Sequence, residues 1–457
     1  MRSCMCYQLR MDEREHEREH EQEQAASINE QARGLLQFLA DSFNSDPEMQ
    51  LQLRGRHGWI DATIGLRSDD GLLEQALVFD RGTLRLKAPV PDNADVQLVF
   101  TTGQDLMTQL MGSADDAMMS ILRGRLRVEG NLAYAQLFNY VMSLLMGEEM
   151  EKSIEAQKQE HRAANLELGR DADRSGREER SRRQKSRIRG HAGNPGVKVL
   201  QDPFLSDFGL QAFPRLEAMR NELFTSGCEL SQEMGELMTD FFVQNGSYET
   251  RKDGSPWEPN LRRAESLRYV LENRLPVIRD QSLLAGSYTP NPVSGCVGHP
   301  FAVLPFLWGE LKTCRTRELQ PYAVSDECIE SLHKYVIPYW AKRNFTEWWK
   351  ERYDNPLAAQ IHERFFSIFF WKTVSMSEVT AGFDKIVRKG TRGLMAEVDR
   401  ELDGCGEDDP EKRNLLEAMK IGLLGVNAYT ALLATQAELE ACAESDPVRR
   451  AELQTLR

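Results

Sequence analysis

The sequence predicts an α+β domain, an antiparallel sheet covered by helices, followed by a charged linker and a mainly helical domain. Three observations lead there. Short apolar or alternating runs cluster between Trp59 and Glu129. From Glu151 to Gly196, charges of both signs replace apolar periodicity. Beyond Val197, apolar residues recur every three or four positions nearly to the C terminus. A chain of 457 residues is long enough for two or three cores. The boundaries that follow are a polar tail over 1–26, a first domain over 27–150, a linker over 151–196 and a second domain over 197–457.

Composition narrows the function classes. A formal charge of −14 disfavours a general nucleic-acid or anionic-membrane binder, because such proteins need a positive field to hold phosphates. The eight Cys are sparse and form no CxxC pair, and no signal-peptide pattern opens the chain, so a reducing cytoplasm is expected. The apolar stretch Ile421 to Ala434 follows Lys420, contains Asn427, and is too short to span about 30 Å of hydrocarbon. It reads as a buried helix rather than a membrane span.

The tail from Met1 to Gln24 is dominated by Glu, Arg, His and Gln and is expected to be disordered or a solvated helix. Within it, His16-Glu17-Arg18-Glu19-His20 matches the HExxH zinc pattern. A tail of alternating charge supplies no third ligand and no dry cavity, so a solvated charge run is the better reading. Ser27, three residues before Glu30, fits a capping box for a helix burying Leu35, Phe38, Leu39 and Phe43. Strands are expected at Trp59 to Leu66, Ala76 to Phe79, Thr83 to Lys87, Asp95 to Thr101 and Arg125 to Glu129, with a tight turn at Asp80-Arg81-Gly82. Helices are expected at Leu106 to Met111, Ala114 to Leu122 and Asn131 to Met146.

In the linker, Arg182, Arg183, Lys185, Arg187 and Arg189 are diluted by Asp171, Asp173, Glu178 and Glu179, which favours a solvated hinge over a nucleic-acid site. Helical spacing then marks Leu216, Met219 and Leu223, and again Leu230, Met234, Leu237, Met238 and Phe241. Behind Asn260, a favoured N-cap, Leu261, Ala264, Leu267 and Leu271 define another helix. Pro276 ends it before an extended run to Gly286. Further helices are expected at Ala358 to Trp371, Phe383 to Leu402, Leu415 to Ala443 and from Pro447 onward.

Two family resemblances rest on particular strings. Asp95-Val96-Gln97-Leu98-Val99-Phe100 and Gly124-Arg125-Leu126-Arg127-Val128-Glu129-Gly130-Asn131 make residues 28–146 resemble the sterol carrier protein type lipid-binding domain. That resemblance implies an apolar tunnel for sterol or fatty acyl ligands, lined by Leu106, Leu110, Met118, Met119, Leu122, Leu137, Val141 and Leu145; a filled core is the plainer alternative. The second set begins with Arg262-Arg263-Ala264 through Leu271-Glu272-Asn273 and Asp280 through Gly286. It continues with Phe383 through Leu394 and with Asp446-Pro447-Val448-Arg449-Arg450-Ala451-Glu452-Leu453. Together these resemble the N-terminal part of the glycyl radical enzymes, the pyruvate formate-lyase and dehydratase group. This implies part of an α/β barrel of glycyl radical enzyme type over 197–457. Where the family often has a Gly-His pair before the second motif, Ser377-Glu378-Val379-Thr380 stands instead.

The resemblance also implies what should accompany the chain. The family's finger-loop cysteine, adjacent carboxylate and radical glycine have no match here, so no catalytic residue and no cofactor is assigned to this chain. An organic radical is expected on a partner or second half, generated by an activating enzyme that uses S-adenosylmethionine, in an anaerobic cytoplasm. Cys296 in Ser294-Gly295-Cys296-Val297-Gly298 is a weak catalytic candidate, since Gly298 stands where the family's loop has Glu. His299, before Pro300, reads as structural. Cys314, Cys328, Cys405 and Cys442 show no ligand spacing for zinc or an iron–sulfur cluster. The leading expectation is an N-terminal subunit or segment of a glycyl radical lyase or dehydratase with an appended apolar-ligand domain. A non-catalytic lipid or sterol carrier, or interaction protein, is the alternative, as is a truncated gene product.

Overall fold

The computed structural model describes residues 30–111, 123–145, 213–225, 228–287, 304–315, 321–352, 382–406 and 409–457, with positions 27, 120–121, 289, 296–297, 300 and 357. The HExxH tail, the helix predicted at 114–122 apart from 120–121, the helix predicted at 358–371, the linker, His299, Met118, Met119 and Leu122 lie outside the described residues. The chain forms two compact units. The first comprises Met1–Ala156, Pro300–Lys312 and Glu330–Ser377; the second comprises Gln157–His299, Thr313–Ile329 and Glu378–Arg457.

The first unit opens with helix α1 over 30–45, which buries Ala32, Leu36, Leu39, Ala40 and Phe43. Phe38, expected in the core, is 65% exposed, because a stripe anchored by Ala32 and Leu36 turns it to solvent. Pro47 does not simply end this helix. It opens α2, Pro47–Gln52, whose Asp46 cap accepts the Glu48 N–H at 2.8 Å. The run predicted at Trp59 to Leu66 divides into a small hairpin, β1 (Arg54–Gly55) with β2 (Gly58–Trp59), and strand β3 (Ala62–Ser68). Strands β4 (Glu74–Asp80), β5 (Thr83–Lys87) and β6 (Val96–Phe100) follow, then α3 (Gly103–Met111), β7 (Leu126–Gly130) and α4 (Leu132–Leu145).

The five-stranded sheet is ordered β5-β4-β3-β6-β7. It is mixed, not antiparallel as expected: β3 and β6 run parallel, from Ile64 opposite Val96 to Ser68 opposite Phe100. The reason lies in the connection. After the β3-β4-β5 meander the chain returns across the sheet and enters β6 in the direction of β3. Val90 of that return lies against Gly65, where an added Cβ would meet it at 2.6 Å, so the crossing needs glycine in the strand beneath. Asp95 then receives the Thr63 N–H at 2.9 Å and fixes the register.

The returning segments complete this unit. Leu304–Leu307 is a helical turn continued by the 3-10 turn Trp308–Glu310, and Leu332–Val336 is a π-helical turn. The Trp308 indole donates to His333 Nδ1 at 2.6 Å, which leaves Nε2 to donate to the Gln52 carbonyl at 2.6 Å. Tyr140 of α4 stacks on the imidazole with ring centres 3.9 Å apart. Asn131 caps α4 by accepting the Ala133 N–H and donates to the Ala341 carbonyl at 2.9 Å.

The second unit begins with α5 (Pro214–Thr225), whose Leu216 and Met219 are exposed rather than buried as their spacing suggested. The predicted helix from Leu230 is instead a strand followed by a helix: β8 (Cys228–Ser231), then α6 (Glu233–Asn245). Helix α7 (Pro259–Asn273) is capped by Glu258, which accepts the Leu261 N–H at 2.7 Å. Pro259 occupies the first turn, so Asn260 lies inside the helix and is not its cap. Ala264, Ser266 and Val270 form its buried face, and Leu267 is 47% exposed.

Strands β9 (Cys296–Val297) and β10 (Tyr322–Ala323) flank β8 in a parallel sheet ordered β10-β8-β9. Helices α8 (Phe383–Asp403), α9 (Pro410–Ala443) and α10 (Pro447–Leu456) close the unit. Helix α8 is kinked at Gly390, where φ is 60°. Helix α9 is long and apolar enough to cross a membrane by length and composition alone. It buries a stripe of mostly small residues, Ala418, Gly425, Leu433, Ala437 and Ala441, and leaves Met419, Val426 and Leu439 exposed. The expectation of a buried helix therefore holds for one face only. At Gly425 a Cβ would meet the Arg268 backbone at 2.9 Å, so α7 and α9 approach through that glycine.

Candidate functional site

The motif that first marks the second domain is held as a braced loop. Arg449 donates to the carbonyls of Ser282 at 2.9 Å and Arg279 at 3.1 Å, and Arg215 donates to that of Gln281 at 2.8 Å. Glu452 receives both guanidinium groups, and Arg215 first, then Arg449, hold its carboxyl below the usual carboxylate range. The brace fixes Gln281 at φ 62° while Leu284 stands 82% exposed. Hydrogen bonds to backbone carbonyls constrain shape; they bring no acid, base or nucleophile together.

A cleft of about 1050 Å³ lies elsewhere in the same unit, beyond the carboxyl ends of β8 and β10. Parallel strands deliver side chains and helix starts to this edge, which is why ligands gather there in open α/β sheets. Its wall includes Glu229, Leu230 and Ser231 from β8, Glu233 and Glu236 from the first turn of α6, and Arg315, Tyr322 and Asp326 opposite. Glu233 accepts the Leu275 N–H at 2.6 Å and lies 3.8 Å from the Arg274 guanidinium, which is itself 92% buried by its 8% exposure. Arg315 pairs with Asp326 at 2.6 Å. Ser231 is 5% exposed and lines the cleft.

Several reactive residue types are removed from chemistry by their surroundings. Cys328 donates its thiol to the Leu230 carbonyl at 3.4 Å, and burial pushes it up to about 12, so it stays protonated at neutral pH. His333, in the first unit, is drawn down to about 3 by burial, and both of its nitrogens are engaged. It is a neutral structural link, not a base.

The sequence-predicted residues fall as follows. Cys296 stands on β9, paired through its backbone with Leu230, one strand from the cleft. Leu106, Leu137 and Val141 are buried in the core of the first unit, and Leu145 at the end of α4 is half-buried. Leu110 contributes a backbone position on α3. Sequence reasoning missed Glu229, Ser231, Glu233 and Glu236 because a four-residue strand shows no period, so β8 and α6 read as one helix. No group of three metal-ligating side chains occurs among the described residues.

Comparison with known proteins assigns the second unit. Residues 228–457, just over half of the chain, match the family model described as pyruvate formate lyase-like. The chain belongs to the pyruvate formate lyase-like family. All three sequence motifs of the second set, and the whole cleft, lie within this pyruvate formate lyase-like portion. The chain is 25% identical over 221 residues to trans-4-hydroxy-L-proline dehydratase of Clostridioides difficile, covering 46% of this chain and 26% of that protein. A Roseburia inulinivorans structure from work on 1,2-propanediol dehydration matches at 25% identity and a TM-score of 0.47, over 53% of this chain and 29% of that one. The glycerol-bound form of the B12-independent glycerol dehydratase of Clostridium butyricum matches at 25% identity and TM-score 0.47, over 53% and 30%. The chain thus spans little more than a quarter of the length of these relatives.

Proposed function

We propose that the chain is the N-terminal segment or subunit of a glycyl radical lyase or dehydratase and acts only with a portion that supplies the cysteine and glycine loops. The observation that carries this reading is the family match over 228–457, set beside a sequence in which the radical-glycine motif has no counterpart. The residues of this chain do not fit the radical group: Gly298 follows Cys296 where a carboxylate is needed for proton transfer. No reaction step is therefore assigned to them. Their contribution is scaffold, in which Arg449 and Glu452 brace the Arg279 to Gly286 loop. The relative from Clostridioides difficile is a trans-4-hydroxy-L-proline dehydratase, which supports a small hydroxylated molecule as the substrate class of the proposed assembly.

The test is anaerobic co-expression with a polypeptide carrying the two loops and an S-adenosylmethionine-dependent activating enzyme. Co-purification and a glycyl radical signal by electron paramagnetic resonance are expected. Absence of both a complex and a radical would overturn the reading.

The sheet domain belongs to the same proposal as a holder of an apolar ligand, supported by the sterol-carrier-like strings, although Leu106, Leu137 and Val141 are packed as filled core. Each buried methylene of such a ligand contributes about 0.8 kcal/mol. Titrating the intact chain with a fluorescent fatty acid should show saturable binding, and a linear response would remove this part of the proposal.

A further inference from the structure

We propose that two copies of this chain associate through the N-terminal half of α9, antiparallel, with Met419 of each copy set against Gly422 of the other. Leu415, Met419, Gly422 and Val426 follow one another at intervals of four, three and four residues, which holds them on one face of the helix. Leu415, Met419 and Val426 are 43%, 48% and 41% exposed. Seven residues beyond Val426 the same face is covered: Leu433 packs at Gly286, and Ala437 and Ala441 pack with Ile278 and Leu453. The apolar face is therefore continuous, and the chain itself occupies only its second half.

Two glycines of this helix differ in use. At Gly425 an added Cβ would meet the Arg268 backbone, so α7 requires that glycine; at Gly422 it would meet nothing within 4 Å among the described residues. Glycine inside a helix is destabilising relative to alanine, and no described part of the chain uses the space that Gly422 leaves. A notch in an exposed apolar stripe admits a large side chain from another helix at close range. The spacing selects that helix. Four, three, four reads the same in either direction, so on an antiparallel second copy Met419 falls opposite Gly422 and Leu415 opposite Val426, large against small and aliphatic against aliphatic, on both sides of a two-fold axis. Parallel copies would instead set glycine against glycine and crowd the two methionines. Charge does not oppose the pairing: Lys420 is turned to Asp399 of α8 at 2.7 Å, and no charged residue occurs from Ile421 to Ala437.

Every residue used here belongs to this chain, so the inference stands apart from the radical reading. The test is sedimentation velocity of the intact purified chain over roughly 1–200 µM, since a single helical stripe lies at the small end of specific interfaces. A reversible monomer–dimer equilibrium is expected. Met419→Asp and Gly422→Leu, at positions outside the core, should each move its midpoint to at least about tenfold higher concentration. Gly422→Ala should raise the urea midpoint of the monomer while weakening the dimer, a combination that a merely structural glycine would not give. Mild oxidation of a chain carrying both Leu415→Cys and Val426→Cys should yield a covalent dimer that neither change yields alone, which reports the antiparallel register. The proposal is overturned by a monomer throughout the concentration range, by variants that dimerise like the parent, or by cross-linking of either single variant. It is equally overturned if Met419→Asp abolishes flotation with phospholipid vesicles, or capture by a polypeptide carrying the radical loops, since the face would then belong to lipid or to that polypeptide.

Discussion

The two units treat their buried polar groups differently. In the first, His333 bonds to Gln52 across 281 positions and Asn131 to Ala341 across 210. In the second, Thr239 and Ser266 bond within their own helices, to Gly235 and Arg263. A long-range bond between buried groups fixes topology; a bond within one helix fixes only local shape. The contrast separates a unit pinned between distant segments from one whose buried hydroxyls are satisfied inside their own helices.

The contrast breaks most sharply at Trp308. Trp308→Ala removes a fully buried indole and should cost about 3–5 kcal/mol by urea unfolding. Trp308→Phe keeps most of the volume but orphans His333 Nδ1, and a loss of about 1–3 kcal/mol is expected. If both variants unfold like the parent, the first unit does not depend on this link.

Acid should act through the same residue. His333 has a folded pKa of about 3, below its unfolded value near 6.5, so at lower pH the unfolded chain takes up a proton that the folded chain refuses. Stability from this site is complete above pH 6.5 and falls by about 1.4 kcal/mol per unit as pH drops toward 3. Between pH 6.5 and pH 5 that is about 2 kcal/mol, and His333→Phe should flatten the slope of stability against pH over that interval.

The second unit offers smaller and more local effects. Arg449→Ala should cost about 1–2 kcal/mol and speed hydrogen exchange across Arg279 to Gly286, with the five-stranded sheet unaffected. Ser266→Ala should cost about 1 kcal/mol by urea unfolding, because the one bond lost lies within its own helix. A loss there as large as that of Trp308→Ala would erase the contrast.

Much of this was legible from residue order. Thr83–Lys87 is a strand as its alternation indicates, and the helix from Pro447 begins where Asp446 and Pro447 place it. Existence was easier to read than facing. Leu267 and Phe38 occupy helical positions that a large apolar side chain marks as core, yet the stripes are set by Ala264 and Val270, and by Ala32 and Leu36. Small residues decide how closely elements approach, and a hydrophobicity pattern underweights them. The parallel pairing of β3 with β6 was illegible because it depends on where the 88–95 connection crosses, not on either strand. The cleft was hidden for the same kind of reason: Glu229, Tyr322 and Arg315 are distant in sequence and meet only once the short strands pair.

The hydrogen bonds from Trp308 through His333 to Gln52 also set an order for biosynthesis. The chain leaves the first unit after Ala156 and re-enters it at Pro300 and again at Glu330. On the ribosome, strands β1 to β7 and helix α4 emerge long before Trp308, Trp340 and His333 reach them. Until then the Tyr140 ring has no imidazole to stack on and the Gln52 carbonyl has no donor. Early translation therefore yields a sheet with an open flank. The unit closes only once the segments from Pro300 and from Glu330 have been made and have returned to it.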